Sequence, residues 1–315
     1  MDLLKMAEEN TPKKPVKHPF FFKFLSLLSV VRGYNILIMI MAQYLAAIFI
    51  FAPERSLKDI LLDLDLYLIV VATVCSIASG YIINNFYDAK KDAINRPIKS
   101  KIDNFVGQNT KLNIYFLLNF IAVVCGFIVS WRAALFFAVY IFLIWIYSHK
   151  FKKYPLTRLI SASVLTLLPF FVIFIYFKNF SYIIFTHALF LFLVLMIKEL
   201  MKDLENIKGD IAQNYLTIPI KYGERFTKIL TFILVIFTLD PIYFLWKYPE
   251  MGLMKYYFYF TGLVFLVFLF LLWKANSKKD YLILHNMVKL VIVIGVLSLV
   301  LIDTSVILQK ILQPL

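Results

Sequence analysis

Residues Ser79 to Pro97 read SGYIINNFYDAKKDAINRP, and within this stretch a long apolar run turns polar before any helix-breaking residue intervenes. Asn84, Asp88 and Asp92 are spaced at i, i+4 and i+8, so on a helix their side chains lie along one face. Acidic groups at the end of an apolar helix are costly unless they face a partner or water. The stretch therefore predicts a polar site where a buried helix meets the membrane surface.

A second stretch, Lys198 to Asp210, reads KELMKDLENIKGD and repeats this pattern more than a hundred residues later. Glu199, Asp203, Asn206 and Asp210 again share one helical face, and they also follow a very hydrophobic segment. Two such faces that meet would present several carboxylates to one ligand. Mg²⁺ bound together with substrate phosphates is the ligand that this chemistry favours.

The composition places the chain in a membrane. Of its 315 residues, 62% are hydrophobic and 17% are charged, with a mean hydropathy of +0.80. A soluble domain has about 45–50% apolar and about 25% charged residues. The apolar segments are too long for the alternating strands of a membrane barrel, so helices must satisfy the backbone in lipid.

Nine apolar segments are long enough to span a bilayer as helices. The predicted spans are 25–51, 66–87, 112–130, 133–149, 157–177, 181–201, 227–246, 256–273 and 287–308. The predicted fold is all-α and polytopic, with nine transmembrane helices around a central cavity. We expect a cytoplasmic tail over residues 1–24 and one transmembrane domain over residues 25–315.

The net charge of +14 is explained by the loops rather than by a nucleic-acid partner. With the N-terminus inside, the predicted inner segments hold 25 Lys and Arg residues and the outer loops hold 7. This asymmetry predicts that both acidic stretches face the cytoplasm. We expect a multi-pass protein in the cell membrane of a bacterium, in contact with membrane lipids; the sequence does not indicate an oligomeric state.

The acidic stretches also carry basic residues. Asp88, Asp92, Asp203 and Asp210 would raise one another's pKa values if they lay together, and a bound Mg²⁺ ion would keep them ionised. Lysines and arginines between them suit a diphosphate that is held by metal on one side and by cations on the other. The alternative is that the acids are solvated helix caps that pair with neighbouring lysines.

These residues resemble the UbiA superfamily of intramembrane prenyltransferases. Its first motif has an Asn, Asp at +4 and +8, and an Asn-Arg/Lys-Pro turn, which correspond here to Asn84, Asp88, Asp92 and Asn95-Arg96-Pro97. The second motif, Arg-Glu-aliphatic-x-Lys-Asp-x-Glu-Asp-x-x-Gly-Asp, is similar to Lys198 to Asp210. Weaker similarities are Arg32 to Asn35, Tyr147-Ser148 with Lys152 and Pro155, and Thr217-Ile218-Pro219.

The chain departs from the family pattern at four places. Asn85 and Asn206 stand where an Asp is usual, Thr157-Arg158 replaces a Gly-Asn pair, and Lys198 replaces an Arg. An Asn can bind Mg²⁺ through its carbonyl oxygen but contributes no charge, so these changes are expected to weaken the metal site or to shift the substrate. The remaining aspartates are expected to suffice for activity.

The resemblance implies Mg²⁺-dependent transfer of a prenyl group from an allylic diphosphate to a lipophilic acceptor. It implies catalytic roles for Asp88, Asp92, Asp203 and Asp210, and metal binding by these four residues together with Asn84. It implies substrate binding by Arg32, Asn35, Asn84, Lys91, Arg96, Tyr147, Lys152, Lys202 and Asn206.

The second motif is most similar to the digeranylgeranylglyceryl phosphate synthase-like branch. That branch implies geranylgeranyl diphosphate as donor and a geranylgeranylglyceryl phosphate as acceptor. An aromatic acceptor of quinone biosynthesis is the alternative within this class. A transporter, which would favour acids in mid-helix, and an inactive homologue that still binds prenyl diphosphate are the alternatives outside it.

Overall fold

The computed structural model describes residues 19–303, a range that contains helices and no strand. We number its α-helices α1 (Phe20–Val30), α2 (Gly33–Ala46), α3 (Leu57–Leu61), α4 (Leu64–Tyr87), α5 (Ala89–Asn95), α6 (Pro97–Asp103), α7 (Gln108–Val129), α8 (Trp131–His149), α9 (Pro155–Phe177), α10 (Tyr182–Glu205), α11 (Ile207–Ala212), α12 (Ile218–Lys247), α13 (Lys255–Lys274) and α14 (Lys278–Ser298). A π-helical turn, Ala47–Phe51, extends α2, and short 3-10 turns cover Phe151–Lys153, Pro249–Met254 and Leu299–Leu301.

Nine helical segments of residues 19–303 are long and apolar enough to cross a membrane. They are Gly33–Phe51, Leu64–Tyr87, Gln108–Val129, Trp131–Lys153, Pro155–Phe177, Tyr182–Glu205, Ile218–Lys247, Pro249–Lys274 and Lys278–Leu301. The prediction of an all-α, polytopic membrane fold is confirmed. Residues 1–18 of the predicted tail and residues 304–308 of the last predicted span lie outside the described residues.

The prediction of one uninterrupted first span over residues 25–51 is wrong. Helix α1 ends at Val30, Arg32 has a left-handed backbone with φ of 52°, and α2 begins at Gly33. A residue with a Cβ rarely adopts this conformation. Hydropathy does not detect a change of backbone direction at one residue, so a continuous apolar run concealed the break.

The last span begins earlier than predicted, at Lys278 instead of residue 287. Ser277 and Asp280 form a reciprocal capping box that satisfies free backbone N–H groups of the first turn of α14. The polar first turns lower the local hydropathy, which is why the apolar run alone placed the start too late.

The two helices that carry the acidic stretches are the central helices of the bundle. In α4 and α10, 61% and 56% of the most apolar window is buried, compared with 17% in α7. Helix α4 packs against α7 and α8, whereas α10 packs against α12 and α14. The acidic ends of α4 and α10 therefore emerge at the middle of one end of the bundle, which we call the motif end.

A proline within α9 is accommodated by side chains from neighbouring helices. Pro169 has no N–H group, so the carbonyl group of Leu165 loses its helical partner. The hydroxyl of Tyr140 donates a hydrogen bond of 3.1 Å to this carbonyl oxygen. Gln43 donates to the carbonyl oxygen of Pro169 at 3.0 Å and to Thr73 Oγ1 at 3.2 Å. These bonds join α2, α4, α8 and α9 where no water satisfies the backbone.

Tyr140→Phe is expected to destabilise the protein by about 1 to 2 kcal/mol, because it leaves the partly buried Leu165 carbonyl without a donor in a membrane-spanning helix. Thermal unfolding in detergent measures the loss. In a Pro169→Ala background the restored backbone N–H group can bond to Leu165, so Tyr140→Phe is expected to cost less there. An equal loss of stability in both backgrounds would show that the Tyr140 hydroxyl does not compensate for the N–H group that Pro169 lacks.

Candidate active site

The central helices α4 and α10 end in the same way. Helix α4 ends at Tyr87, and after Asp88 the chain continues as α5; α10 ends at Glu205, and after Asn206 it continues as α11. Across the first bend the N–H groups of Asp88 and Asp92 still bond four residues back, at 2.9 and 2.8 Å. The helical period therefore continues through the bend, which keeps Asn84, Asp88 and Asp92 on one face as predicted.

The two short helices α5 and α11 lie in contact, which brings the two acidic stretches together. Gly209 allows this approach, because a Cβ atom there would collide with the amide group of Asn95. Asn95 Nδ2 donates to the carbonyl oxygen of Asn206 at 3.3 Å. In the loop after α11, Gln213 donates to the carbonyl oxygen of Tyr87 at 2.9 Å. Direct hydrogen bonds therefore join the second acidic stretch and the loop after it to the first acidic stretch.

A charged cavity opens at this junction. Its lining residues are Arg32, Asn84, Asp88, Lys91, Asp92, Arg96, Tyr147, Lys152, Arg158, Lys202 and Asn206. Ten of these were singled out in the sequence, and only Arg158 was not. Six of the lining side chains are cationic and two are carboxylates, so the cavity suits an anion that carries several charges.

Lys152 organises the first acidic stretch. Its ammonium group donates to Asn84 Oδ1 at 2.7 Å and to Asp88 Oδ1 at 2.8 Å. Tyr215 donates a hydrogen bond of 3.0 Å to the same oxygen of Asp88. Burial by itself would raise the pKa of Asp88, but the charges of Lys152 and Lys91 and the bond from Lys152 outweigh it and lower this pKa to about 2. Asp88 is therefore ionised at neutral pH.

Asp92 has the opposite environment. Its carboxylate makes no hydrogen bond or ion pair with any described residue, although it lines the cavity. Burial and the nearby charge of Asp88 raise its pKa. A carboxylate pair with free oxygen atoms and an amide oxygen beside it is the donor set that Mg²⁺ prefers. Asn84, Asp88 and Asp92 therefore fit a divalent metal ion.

The acids of the second stretch lie behind the cavity wall. Asp203 and Asp210 are only 1% and 0% exposed, and neither lines the cavity. Arg158 contacts Asp203 Oδ1 through Nε at 2.9 Å and through Nη2 at 2.6 Å, and its Nη1 lies 3.5 Å from Asp210 Oδ1. Lys91 forms an ion pair with Asp210. Two cations thus separate these carboxylates from the cavity.

Sequence reasoning recorded Arg158 only as a departure from the family pattern. It is 2% exposed, lies in the first turn of α9 and contacts both acids of a motif that begins about forty residues later. One signal was available: a basic residue in the first turn of an apolar span, with no acidic residue nearby in the sequence to pair with.

Asn35 does not line the cavity. Its Nδ2 atom donates to the hydroxyl of Tyr81 at 3.1 Å, and the guanidinium of Arg32 lies 5.1 Å from the centre of the same ring. Asn35 therefore orients the aromatic ring on which Arg32 rests. Arg32 itself forms no ion pair with a carboxylate of the described residues.

Other cations of the cavity are held by buried glutamates. Lys202 and Lys198 contact Glu199 at 2.7 and 3.3 Å. Arg96 lies 3.6 Å from Glu205, which also accepts a hydrogen bond of 2.6 Å at His285 Nδ1. Neither glutamate lines the cavity, so these contacts orient the cationic side chains and add no negative charge to the cavity lining.

Asn85 does not face the cavity, although it adjoins Asn84. Its Oδ1 atom accepts from Lys111 at 2.9 Å, and its Nδ2 atom donates to Asp103 at 3.3 Å. Ser29 also donates to Asp103, at 2.7 Å, which joins α1 to α6. The position therefore requires both a donor and an acceptor, which an Asn has and an ionised Asp lacks. Asn85 offers no ligand to a metal ion at Asp88 and Asp92.

The fold and the cavity define a multi-pass membrane protein with a charged site at one end of its helical bundle. Residues 28–301 match the model of the UbiA prenyltransferase family, and the chain belongs to this family. It is therefore a membrane prenyltransferase, and the resemblance seen in the two motifs is confirmed.

Relatives and solved structures agree with this assignment. The chain is 28% identical over 218 residues to digeranylgeranylglyceryl phosphate synthase of Methanobrevibacter smithii, covering 66% of this chain and 73% of that protein. It is 31% identical over 233 residues to the protein of that name in Methanococcus maripaludis strain C6, covering 69% and 77%. The curated relatives with these names are archaeal.

Two solved structures share the fold. One, of a digeranylgeranylglyceryl phosphate synthase, superposes with a TM-score of 0.66 at 18% identity over 88% of this chain and 97% of that one. A UbiA homologue from Archaeoglobus fulgidus bound to GPP and Mg²⁺ superposes with a TM-score of 0.64 at 13% identity, over 87% and 99% of the two chains.

Alanine substitutions of the adjacent residues Asn84 and Asn85 are expected to affect two different properties, metal affinity and stability. Asn85→Ala leaves the buried ammonium of Lys111 without its amide acceptor and is expected to lower stability by about 2 kcal/mol, with little change in Mn²⁺ affinity. Asn84→Ala removes an oxygen from the cavity and is expected to weaken Mn²⁺ binding several-fold. Thermal unfolding and Mn²⁺ titration of both variants test this, and weaker Mn²⁺ binding in Asn85→Ala would contradict the geometry.

Proposed function

We propose that this prenyltransferase transfers a geranylgeranyl group from its diphosphate to a geranylgeranylglyceryl phosphate, with Mg²⁺ as cofactor. The observation that carries the proposal is the convergence of six cations with Asp88 and Asp92 in one cavity at the ends of the two central helices. The names of the curated relatives support the choice of acceptor.

The cationic wall of the cavity would hold the diphosphate of the donor. Lys91, Lys152 and Lys202 reach the cavity from three different helical segments, and Arg96 reaches it from the turn after α5. Charge-assisted hydrogen bonds from such groups are about twice as strong as neutral ones. They would also favour ionisation, because negative charge grows on the diphosphate as the allylic C–O bond breaks.

The divalent ion would bind to Asp92 and to Asp88 Oδ2, with the Asn84 amide oxygen, which also accepts from Lys152, beside them. When bound it supplies positive charge to the leaving diphosphate. Lys152 keeps Asp88 ionised and holds the Asn84 amide in place. The Asp92 carboxylate, which makes no ion pair with a described residue, would gain in the metal a directly bound positive charge, in addition to the charges of Arg32, Lys91 and Arg96 nearby.

The reaction would then proceed by ionisation and capture. The electron pair of the allylic C–O bond leaves with the diphosphate, and the prenyl cation is captured by the acceptor hydroxyl, which loses its proton. The products are an ether, diphosphate and a proton, so atoms and charge balance. Burial of the reacting end among membrane-spanning helices would exclude water, which would otherwise capture the cation.

Arg32 is the residue that we assign to the phosphate of the acceptor. It lines the cavity, rests on the Tyr81 ring at 5.1 Å and has no carboxylate partner among the described residues. Arg32 lies in the break between α1 and α2, where its backbone is left-handed. A guanidinium that is not committed to an internal acid can bind a phosphate bidentately.

The cavity would face the cytoplasm. The motif end of the bundle carries the inner segments of the sequence, where most of the Lys and Arg residues lie, and this asymmetry supports an inside orientation. A cytoplasmic opening would give water-soluble Mg²⁺ access to the site while the prenyl chains remain in the bilayer. We propose a bacterial cell membrane as its location, whereas the curated relatives named above are archaeal.

The experiment supplies purified protein in liposomes with Mg²⁺ and labelled allylic diphosphates of three chain lengths. Each donor is offered with geranylgeranylglyceryl phosphate or with a hydroxybenzoate acceptor. We expect an ether lipid from the geranylgeranyl donor and the phosphate acceptor, and no product with EDTA. Asp92→Asn is expected to lower the rate by about 100-fold or more, because a ligand of the charge-stabilising ion is lost.

The matched control is Asp59→Asn, an exposed acid in α3, near the opposite end of α4 from Asp88. It is expected to retain the wild-type rate. Product only on the hydroxybenzoate would overturn the proposed acceptor and keep the prenyl transfer. Product that survives EDTA would overturn the metal requirement.

A further inference from the structure

The four aspartates expected to bind metal divide into two sets with different surroundings. Asp88 and Asp92 line the cavity, and the bonds from Lys152 and Tyr215 reach only Asp88 Oδ1, so Asp88 Oδ2 and the Asp92 carboxylate keep no hydrogen-bond partner among the described residues. Asp203 and Asp210 lie behind the wall, where Arg158 and Lys91 already contact them. The second set therefore has its positive charge from the protein.

The place between Asp203 and the cavity is filled by the guanidinium of Arg158. Two of its nitrogens lie 2.6 and 2.9 Å from Asp203 Oδ1. Mg²⁺ needs ligand oxygens at about 2.0–2.1 Å in a near-octahedral shell that usually includes several waters. With Asp203 1% exposed and Arg158 2% exposed, there is no space for that shell beside the guanidinium.

Asp210 offers no alternative position for a second ion. Its Oδ1 atom is in ion-pair contact with Lys91 and lies 3.5 Å from Arg158 Nη1. Both carboxylate oxygens are buried, and neither accepts a hydrogen bond of good geometry within the described residues. Because Asp210 is 0% exposed and Arg158 and Lys91 lie against Oδ1, the additional ligands and waters that a divalent ion needs have no space there.

We propose that the chain binds a single divalent ion in this cavity, at Asn84, Asp88 and Asp92, and that Arg158 is a second, built-in positive centre for the substrate. Arg158 lines the cavity and has five N–H donors, of which Asp203 takes two. The carbonyl oxygen of Lys152 accepts from Nη1 at 3.4 Å, and Nη1 also lies 3.5 Å from Asp210 Oδ1. The second N–H group of Nη2 is left, and it contacts the diphosphate. This inference rests on the proposed function, because it assigns a residue to the same diphosphate.

The carboxylates of Asp203 and Asp210 then act as positioning residues. They hold the guanidinium in one orientation before substrate arrives, and the guanidinium stays charged at any physiological pH. A fixed cation needs no rearrangement when the diphosphate binds. The aspartates of the second stretch serve the reaction through Arg158 instead of through a metal ion.

Counting bound Mn²⁺ tests the inference without reference to turnover. Mn²⁺ is titrated into detergent-solubilised protein with an S-thiolodiphosphate analogue of the donor, and bound ions are counted by electron paramagnetic resonance. We expect one ion per chain in the wild type. Asp92→Asn is expected to lose that ion, whereas Asp210→Asn is expected to retain it.

Arg158→Asn removes the guanidinium and leaves both buried carboxylates in place. We expect a second Mn²⁺ ion to bind to this variant, while Arg158→Lys stays at one. The matched control is Lys150→Asn, which removes an exposed positive charge between α8 and α9 and is expected to keep one ion. If Arg158→Asn does not fold, the comparison of Asp92→Asn with Asp210→Asn in the wild-type background decides the question.

The outcomes separate this inference from the proposed function. Two ions in a wild type that transfers a prenyl group would overturn the single-ion site and leave the function intact. Loss of the ion in Asp210→Asn, with retention in Asp92→Asn, would also overturn it. A wild type that binds no ion and releases no diphosphate from any donor would overturn both.

Discussion

The contact of Arg158 with Asp203 is the interaction on which the motif end of this protein depends. It joins the first turn of α9 to the last turns of α10, and Arg158 Nη1 extends the pairing to Asp210 in α11. All three side chains are almost fully buried, so none can exchange its partner for water. Removing one member of such a buried pair costs about 3 to 5 kcal/mol, because the other charge is left uncompensated.

The same constraint explains the rest of the site. Lys152 is 1% exposed and must pair with Asp88, and Glu199 must pair with Lys202 and Lys198. Each of these pairs joins groups at the motif end of the bundle. The orientation of each cavity cation therefore follows from a carboxylate behind or beside it, except for Arg32, which rests on the Tyr81 ring.

Close backbone approach makes these charge pairs possible. Gly209 lets α11 lie against Asn95, and the bends at Asp88 and Asn206 turn both short helices across the ends of the central pair. On another face of α4, Asn85 hydrogen-bonds to both Lys111 and Asp103. A departure from the family pattern at this position thus serves the packing of α1, α4, α6 and α7 and leaves the cavity ligands unchanged.

The sequence by itself determined the membrane class, the number of spans and ten of the eleven cavity residues. Apolar length is a local property, and the four-residue period of Asn84, Asp88 and Asp92 survives the bend because the backbone hydrogen bonds continue through it. The family motifs were equally local, since each lies in one continuous stretch. Only the tertiary structure decided that Arg32 interrupts the first helix and that Asn85 faces away from the site. It also decided that Arg158 stands between the second pair of aspartates and the cavity. These facts depend on which charges meet across different helices, and a buried charge takes whichever partner packing brings near, at any distance along the chain.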